Sequence, residues 1–371
     1  SSTIIEEYGI GLIETTEADP AFTATLRTEA AYAQFQTELM DGLELSAGAR
    51  YEKGKQEVRP LQVFTNPITS GANTNIENDY VLPGATLTYK FNDAMQLRFN
   101  ASKTIARPQF RELMFQLYFD PEYNRYYRGN PLLTDSEFVN TEARFEWYFA
   151  PEQRLSVAGF YKTIEDPIEA YTGFTDNTPE TSFANAPEAV LYGVEFEVQK
   201  YFPLDEMFSN EFLGSRRAVV IGNYTFTDSK INVEAGDTVR VFGAPMQPAS
   251  NVFRDGSQLT GQSDHLVNLQ FGLESPQRLS QQTILLSYAS DRVTSRGATG
   301  LPDIYESPGL RVDFVAREAF NLFDTDLEAK LEIRNIFGRG YKEFQERGPN
   351  TVYYNKYDVG TVFSASLTMS F

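Results

Sequence analysis

The sequence contains no cysteine, only one histidine, and no apolar run as long as a membrane-spanning helix. The absence of cysteine excludes a disulfide framework, a thiolate metal site and a cysteine nucleophile. Because a membrane helix needs roughly 18 or more apolar residues, this chain could cross a bilayer only as a closed β-barrel. The formal net charge of −19 argues against nucleic acid as a partner.

What the sequence does contain is aromatic residues, at 14%, and segments in which apolar and polar residues alternate. The final segment, 361–371, has apolar residues on one face and small polar residues on the other, because strand side chains alternate with period two. It has the roughly 9–11 residues of a bilayer-spanning strand and ends on the aromatic Phe371. This pattern favours the wall of a membrane barrel.

The same alternation predicts about thirteen antiparallel strands between about residue 22 and residue 371, with residues 1–21 as a loop or an incomplete strand. Connections between these strands alternate between short and long, which is typical of barrels with tight periplasmic turns and long extracellular loops. The fold class is therefore all-β, an antiparallel transmembrane β-barrel. The predicted extracellular loops span residues 61–79, 108–137, 168–187, 230–263, 293–308 and 339–356.

The polar faces of these strands carry charge, which bears on the width of the barrel. Glu328, Lys330, Glu332 and Arg334 share one face of a single strand. A lysine or arginine facing lipid at mid-membrane costs about 2–4 kcal/mol, so we expect these side chains to line a wide, wet lumen. Single-chain bacterial barrels have even strand counts, so an odd count predicts further strands upstream.

Five short segments carry a family pattern over most of residues 80–371. They are SKTIARP at 102–108, FREL at 110–113, RGNPLL at 128–133, GQS at 261–263 and NIF at 335–337. In this order they resemble the barrels of TonB-dependent outer-membrane receptors, although Asp135 stands where the family often has proline. The resemblance implies a barrel of 22 strands around an N-terminal plug, on which an energising inner-membrane protein, TonB, pulls. Residues 1–371 would then be the C-terminal portion of the barrel, without the plug.

Two of the long loops are candidate ligand-binding sites. Aromatic faces and guanidinium groups can hold a sugar ring, a siderophore or an anionic ligand, and loops often carry function. The alternative is an outer loop that packs on itself, with tyrosines of the membrane-interface girdle at its base. The candidate residues are Arg111, Tyr118, Phe119, Tyr123, Arg125, Tyr126, Tyr127 and Arg128 in the first loop, with Arg240 and Arg254 in the second.

No catalytic site, metal site or cofactor is predicted. His265 would need a positioned nucleophile and an orienting acid, and its neighbours Ser263 and Asp264 do not supply that arrangement, so we interpret it as a rim residue at the start of a strand. With 51 acidic residues, a carboxylate pair of the glycosidase type is expected by chance. We therefore expect a protein that is not an enzyme.

The preferred hypothesis is active transport of a scarce nutrient across the bacterial outer membrane. Siderophore-bound iron, a glycan fragment or a similar small molecule would be captured by the extracellular loops. The resemblance implies outer-membrane lipid, the plug and barrel strands missing from this chain, and TonB as partners. The alternatives are a passive porin-like channel, a barrel hydrolase and a soluble β-rich binding protein.

Overall fold

The computed structural model describes residues 21–62, 70–175, 178–205, 207–297, 300–322 and 325–370. Of the segment 1–21, predicted as a loop or an incomplete strand, only Ala21 lies within these residues. The predicted turn at 323–324 and the terminal Phe371 also lie outside them.

Strands account for most of the described chain. Two one-turn α-helices, α1 (Phe110–Leu113) and α2 (Glu211–Gly214), and one 3-10 helix, Ala249–Asn251, accompany them in the described residues. Of the helices that the structure describes, none combines the length and the hydropathy needed to cross a bilayer. The strands are β1 (Phe22–Met40), β2 (Leu43–Pro60), β3 (Thr74–Asn92), β4 (Met95–Ala106), β5 (Leu117–Asp120), β6 (Arg125–Arg128), β7 (Ser136–Ala150), β8 (Gln153–Glu165), β9 (Ile168–Thr175), β10 (Thr178–Asn185), β11 (Glu188–Pro203), β12 (Arg217–Asn232), β13 (Thr238–Val239), β14 (Gln247–Pro248), β15 (His265–Glu274), β16 (Ser280–Ala289), β17 (Arg292–Gly297), β18 (Ile304–Glu306), β19 (Gly309–Leu322), β20 (Thr325–Arg334), β21 (Tyr341–Arg347), β22 (Asn350–Tyr357) and β23 (Val362–Ser370).

Thirteen of these strands form one antiparallel sheet, which we call the wall, so the predicted number of strands is confirmed. Each wall strand pairs with the wall strands before and after it in the chain, as in an up-and-down barrel. β1 and β23 are the two edges of the wall within the described residues. The order is β1-β2-β3-β4-β7-β8-β11-β12-β15-β16-β19-β20-β23.

Short turns join most neighbouring wall strands at one end, although the longer segment 204–216, with α2, joins β11 to β12. The first of the short turns shows why a glycine is needed. Gly42 has φ +75°, a conformation that only glycine adopts without strain. A Cβ at this position would also lie 2.8 Å from the carbonyl oxygen of Lys90 on the neighbouring β3. The sequence Asp41-Gly42 therefore fixes a tight turn and the register of β1 on β2.

The two faces of the wall differ as the sequence predicted. The apolar face is outward: Leu331 is 41% exposed and Leu367 is 63% exposed. The side chain of Glu332, beside Leu331 on β20, is only 15% exposed, because it pairs with Lys330 and Arg334 on the polar face. The apolar side thus has no protein against it in the described chain, and the charged side chains form ladders on the opposite face.

The long connections are not the irregular loops that the sequence predicted. Eight of the remaining strands form a second sheet, in the order β22-β21-β18-β17-β9-β10-β6-β5, and β13 pairs with β14. The predicted loops are also too wide, since β3 begins at Thr74, β7 at Ser136 and β12 ends at Asn232. Where the wall strands extend beyond the apolar band towards the long connections, apolar and polar residues no longer alternate. The period-two pattern in the sequence therefore ends before the strands do.

Most of the buried apolar residues lie among these connections rather than in the wall. We call residues 107–135, 166–187, 233–264, 290–308 and 335–361 the loop layer. One apolar cluster forms around Ile231, Phe253 and Leu259. A second forms around Leu113 and Phe183. The loop layer is therefore a packed structure, and its apolar clusters also include residues at the adjoining ends of wall strands, such as Ile231 on β12 and Val58 on β2.

Candidate functional site in the loop layer

A buried ion pair joins distant parts of the loop layer. Arg125 on β6 lies 2.9 Å from Glu343 on β21, and their side chains are 1% and 0% exposed. The hydroxyl of Thr294 donates to Glu343 at 2.6 Å. Burial raises the pKa of the Glu343 carboxyl, while Arg125 and Thr294 oppose that rise. Together with Thr294, this pair connects three of the five segments of the loop layer.

Aromatic rings enclose the Arg125 guanidinium. Its central carbon lies 5.6 Å from the ring centres of Tyr123 and Tyr127 and 5.8 Å from that of Tyr354. Tyr127 in turn stacks on Phe183, at 6.2 Å. Cations over aromatic faces are stabilised within about 6 Å, so the rings stabilise a charge that water does not reach.

A second buried charge cluster joins the other segments. Arg296 on β17 donates to Glu169 at 2.9 Å and to Asp303 at 3.1 Å. The backbone N–H and the hydroxyl of Thr260 also donate to Glu169, at 3.1 Å and 3.2 Å. Burial raises the pKa of Glu169, against the effect of Arg296. Together the two clusters link all five segments of the loop layer.

Asn130 links three connections by its side-chain amide. Its Nδ2 donates to the carbonyl oxygens of Phe183, at 3.0 Å, and Arg240, at 2.9 Å. Its Oδ1 accepts the backbone N–H groups of Leu132, at 3.1 Å, and Phe242, at 3.2 Å. Asn130 is almost fully buried, and all these hydrogen bonds satisfy groups that would otherwise lose water. The Asn-Pro of the resemblance motif is thus a structural element of the loop layer.

The structure places the ten predicted ligand-binding residues in three environments. Arg125 and Tyr127 are buried, Tyr118, Tyr123 and Arg128 are half-buried, and the other five are exposed. The Arg128 guanidinium binds Glu180 at 2.8 Å. Their contact with a ligand stays a prediction. The five exposed residues are Arg111, Phe119, Tyr126, Arg240 and Arg254.

One cavity in the loop layer is large enough for a small molecule. Its volume is about 650 Å³, within the range of about 300–1,000 Å³ that ligand pockets occupy. Its lining includes Phe253, Arg254, Arg296, Asp303 and Arg347. Among the ten predicted residues, only Arg254 lines this cavity. No cluster of three or more metal-ligating side chains occurs among the described residues.

Arg254 and Arg347 are the two loosely held cations of this cavity. Arg254 approaches Asp303 at 3.4 Å, and Asp303 is held more closely by Arg296. The Arg347 side chain donates a long hydrogen bond to the carbonyl oxygen of Gly300, at 3.5 Å. Both guanidiniums can therefore bind an anionic group without breaking a strong internal pair.

The sequence did not single out Glu169, Arg296, Glu343 or Arg347. Each lies in a polar segment among many other charged residues. Their partners are far away in sequence, so no local spacing marks them. The one available signal was Asn130, within the RGNPLL segment at 128–133, but it was not taken as a site residue.

His265 lies where the sequence placed it, at the start of β15. Its Nδ1 is 2.9 Å from the hydroxyl of Tyr224, and the two rings stack at 6.1 Å. Among the described residues, no carboxylate forms a hydrogen bond with the imidazole. The arrangement is that of an aromatic cluster on the outward face of the wall.

Comparison with known structures identifies the fold. The siderophore receptor PiuA from Acinetobacter baumannii is similar at a TM-score of 0.61 with 14% identity, over 94% of this chain and 44% of that one. The ferric-catecholate import receptor Fiu from E. coli K12 is similar at 0.59 with 16% identity, over 94% and 45%. The ferric yersiniabactin uptake receptor FyuA from Yersinia pestis gives 0.58 with 14% identity, over 94% and 46%. The chain spans about half the length of these proteins.

The family assignment comes from the sequence. A search of curated proteins gave no match. The model of the TonB dependent receptor-like β-barrel matches residues 7–336, which is most of the chain. TonB-dependent receptors are transporters rather than enzymes, so membership of this family confirms the prediction that this protein is not an enzyme. The chain belongs to the TonB-dependent receptor β-barrel family.

Proposed function

We propose that this chain is part of a bacterial outer-membrane receptor that takes up a scarce small-molecule nutrient. Together with an N-terminal plug and further barrel strands, it would form the gated passage, and TonB would supply energy through the plug. Membership of the receptor family carries this proposal. The solved structures with this fold are named as receptors for siderophores and ferric chelates, which makes iron chelates the first ligand class to test.

The loop layer supports ligand capture at the end of the wall opposite the short turns. Its cavity of about 650 Å³ is lined by the weakly held guanidiniums of Arg254 and Arg347 and by the apolar residues Leu301 and Pro302. Such a combination suits a small molecule that carries an aromatic or apolar part and an anionic group. The two buried charge clusters would hold the cavity in shape, so Arg125 and Tyr127 would act by positioning the layer.

Uptake by cells tests the proposed function. The intact receptor would be produced in Gram-negative cells that lack their own siderophore receptors, with and without TonB. Radioactive iron supplied as ferric yersiniabactin or ferric enterobactin, and radioactive maltoheptaose, serve as probes. We expect one probe class to accumulate only when both the receptor and TonB are present. Equal accumulation without TonB would contradict active transport and favour passive passage.

A matched pair of arginine variants tests the cavity. Arg254→Gln removes a charge that lines it, and we expect about a tenfold weaker apparent affinity for the transported probe, since a charge-assisted hydrogen bond contributes about 1.5–3 kcal/mol. Arg27→Gln is the control, because Arg27 is also exposed but lies on β1 of the wall. If both variants bind the probe as the unchanged receptor does, the ligand is bound elsewhere.

A further inference from the structure

An unusual lysine lies on the outward, apolar face of the wall, near the end that carries the short turns. The ammonium of Lys200 on β11 is 5.1 Å from the ring centre of Phe202 and 5.6 Å from that of Phe149. Phe149 also packs edge-to-face on Trp147, at 5.3 Å. A charged group among aromatic rings is typical of the headgroup level of a membrane. The lysine and rings therefore mark where the wall leaves the hydrocarbon.

Other basic side chains near the two ends of the wall have carboxylate partners. At the end that carries the loop layer, Lys103 pairs with Glu137, and Glu165 and Glu188 lie beside Glu137 on β8 and β11. At the turn end, Arg278 lies 2.9 Å from Glu318, which the buried Arg216 also approaches, at 3.7 Å. Lys200 differs from these basic residues because it has no carboxylate partner among the described residues.

Lys200 has donors that its surroundings do not use. An ammonium carries three N–H groups, and no carboxylate of the described residues is recorded as an ion-pair partner of Lys200. Its neighbours on the outward face are aromatic rings, which attract the charge but accept hydrogen bonds only weakly. A negatively charged hydrogen-bond acceptor would therefore complete the surroundings of Lys200.

The location of β11 keeps this surface open. β11 is flanked by β8 and β12 and lies far from both wall edges, β1 and β23. Any strand added at an edge would therefore lie several strands away, and anything inside the lumen would meet the opposite face of the sheet. The occupant must come from outside the barrel, on the side of the lipid.

We propose that Lys200, between Phe149 and Phe202, binds the phosphate of an anionic phospholipid in the leaflet at the turn end. This inference rests on the proposed outer-membrane location. The phosphate oxygens accept hydrogen bonds from the ammonium, and the rings hold the ammonium at headgroup depth while the acyl chains cover the apolar residues above it. A basic group near an anionic membrane surface contributes about fivefold in affinity.

Lipid binding to the intact, detergent-purified receptor tests this site. Native mass spectrometry would compare phosphatidylglycerol with phosphatidylcholine of the same acyl chains. We expect about fivefold tighter binding of phosphatidylglycerol, and Lys200→Gln should remove most of that preference. Phe202→Leu keeps the charge but removes one ring, and we expect an intermediate loss.

Lys230→Gln is the matched control, because Lys230 is an exposed outward lysine on β12 at the opposite end of the wall. It should leave the preference unchanged. Equal binding of the two lipids, or a preference that Lys200→Gln does not alter, overturns the proposal. A receptor that inserts into membranes and transports its ligand yet shows no preference would refute the lipid site alone, whereas loss of insertion would refute the proposed location.

Discussion

Arginine–carboxylate pairs occur in both the wall and the loop layer, but their surroundings differ. In the wall, Arg144 lies 3.0 Å from Glu142 and 2.9 Å from Glu195, and its side chain is still 20% exposed on the polar face. In the loop layer, Arg125 and Glu343 are shut off from solvent. Water can replace a lost partner in the wall but not in the layer. The same substitution therefore has different consequences in the two regions.

The largest effect should follow from breaking the buried pair. Glu343→Gln leaves the Arg125 charge buried without a counter-charge, and we expect the loop layer to lose about 3–5 kcal/mol of stability. Hydrogen exchange would show this as faster exchange in β6 and β21 with the wall strands unchanged. Glu142→Gln in the wall is the control and should change stability by less than about 1 kcal/mol, because Arg144 keeps Glu195. Equal effects of the two variants would remove the distinction between the regions.

A smaller effect should come from placing charge on the outward face of the wall. Leu331 lies near the middle of β20 opposite Ala365 of β23, and Leu331→Arg should destabilise the intact receptor in lipid by about 2–4 kcal/mol. Lys330→Arg, on the polar face next to it, should have little effect. Unfolding of the receptor in lipid vesicles measures both. A harmless Leu331→Arg would show that this face does not meet hydrocarbon.

The wall could be predicted from the sequence because each strand there has one apolar and one polar face, and a period-two pattern records that locally. The loop layer could not, because its strands pair across the chain and both of their faces meet other protein or water. The candidate site shows the same division. Arg125 was selected for its aromatic neighbours in sequence, whereas Glu343 has no local feature that connects it with Arg125. A pairing between distant polar segments requires the tertiary structure.

Buried hydroxyl groups in the loop layer should contribute less than the buried charges. Thr172 Oγ1 lies 2.7 Å from both Thr181 Oγ1 and Ser295 Oγ, and all three residues are buried. Thr172→Val keeps the shape but leaves the other two hydroxyls with fewer partners, so we expect a loss of about 1–2 kcal/mol. Faster hydrogen exchange in β9 and β17 is the measurement. Thr163→Val on β8 of the wall is the control, and a loss as large as that of Thr172→Val would contradict the role of the hydroxyl chain.

The smallest effect concerns pH. Burial raises the pKa of Glu169 above its usual range, with Arg296 and Thr260 acting in the opposite direction. The Glu169 carboxyl therefore binds a proton at a higher pH in the folded layer than in the unfolded chain. As a result, the contribution of this group to the free energy of unfolding falls as pH rises from the usual glutamate pKa through the folded pKa. When the pH is lowered from about 7 to about 5, which is still above the usual glutamate pKa, the contribution of Glu169 to the stability of the loop layer should therefore stay the same or increase.

Hydrogen exchange in residues 168–175, corrected for the intrinsic effect of pH on exchange, measures this dependence. We expect opening of β9 to be no faster at the lower pH, and Glu169→Gln, which carries no titrating proton, should flatten the dependence. Faster opening at the lower pH that Glu169→Gln abolishes would mean that the charged pair with Arg296 outweighs burial. The buried clusters would then resemble the paired carboxylates of the wall in their response to acid, and the contrast between the two regions would lie in exposure alone.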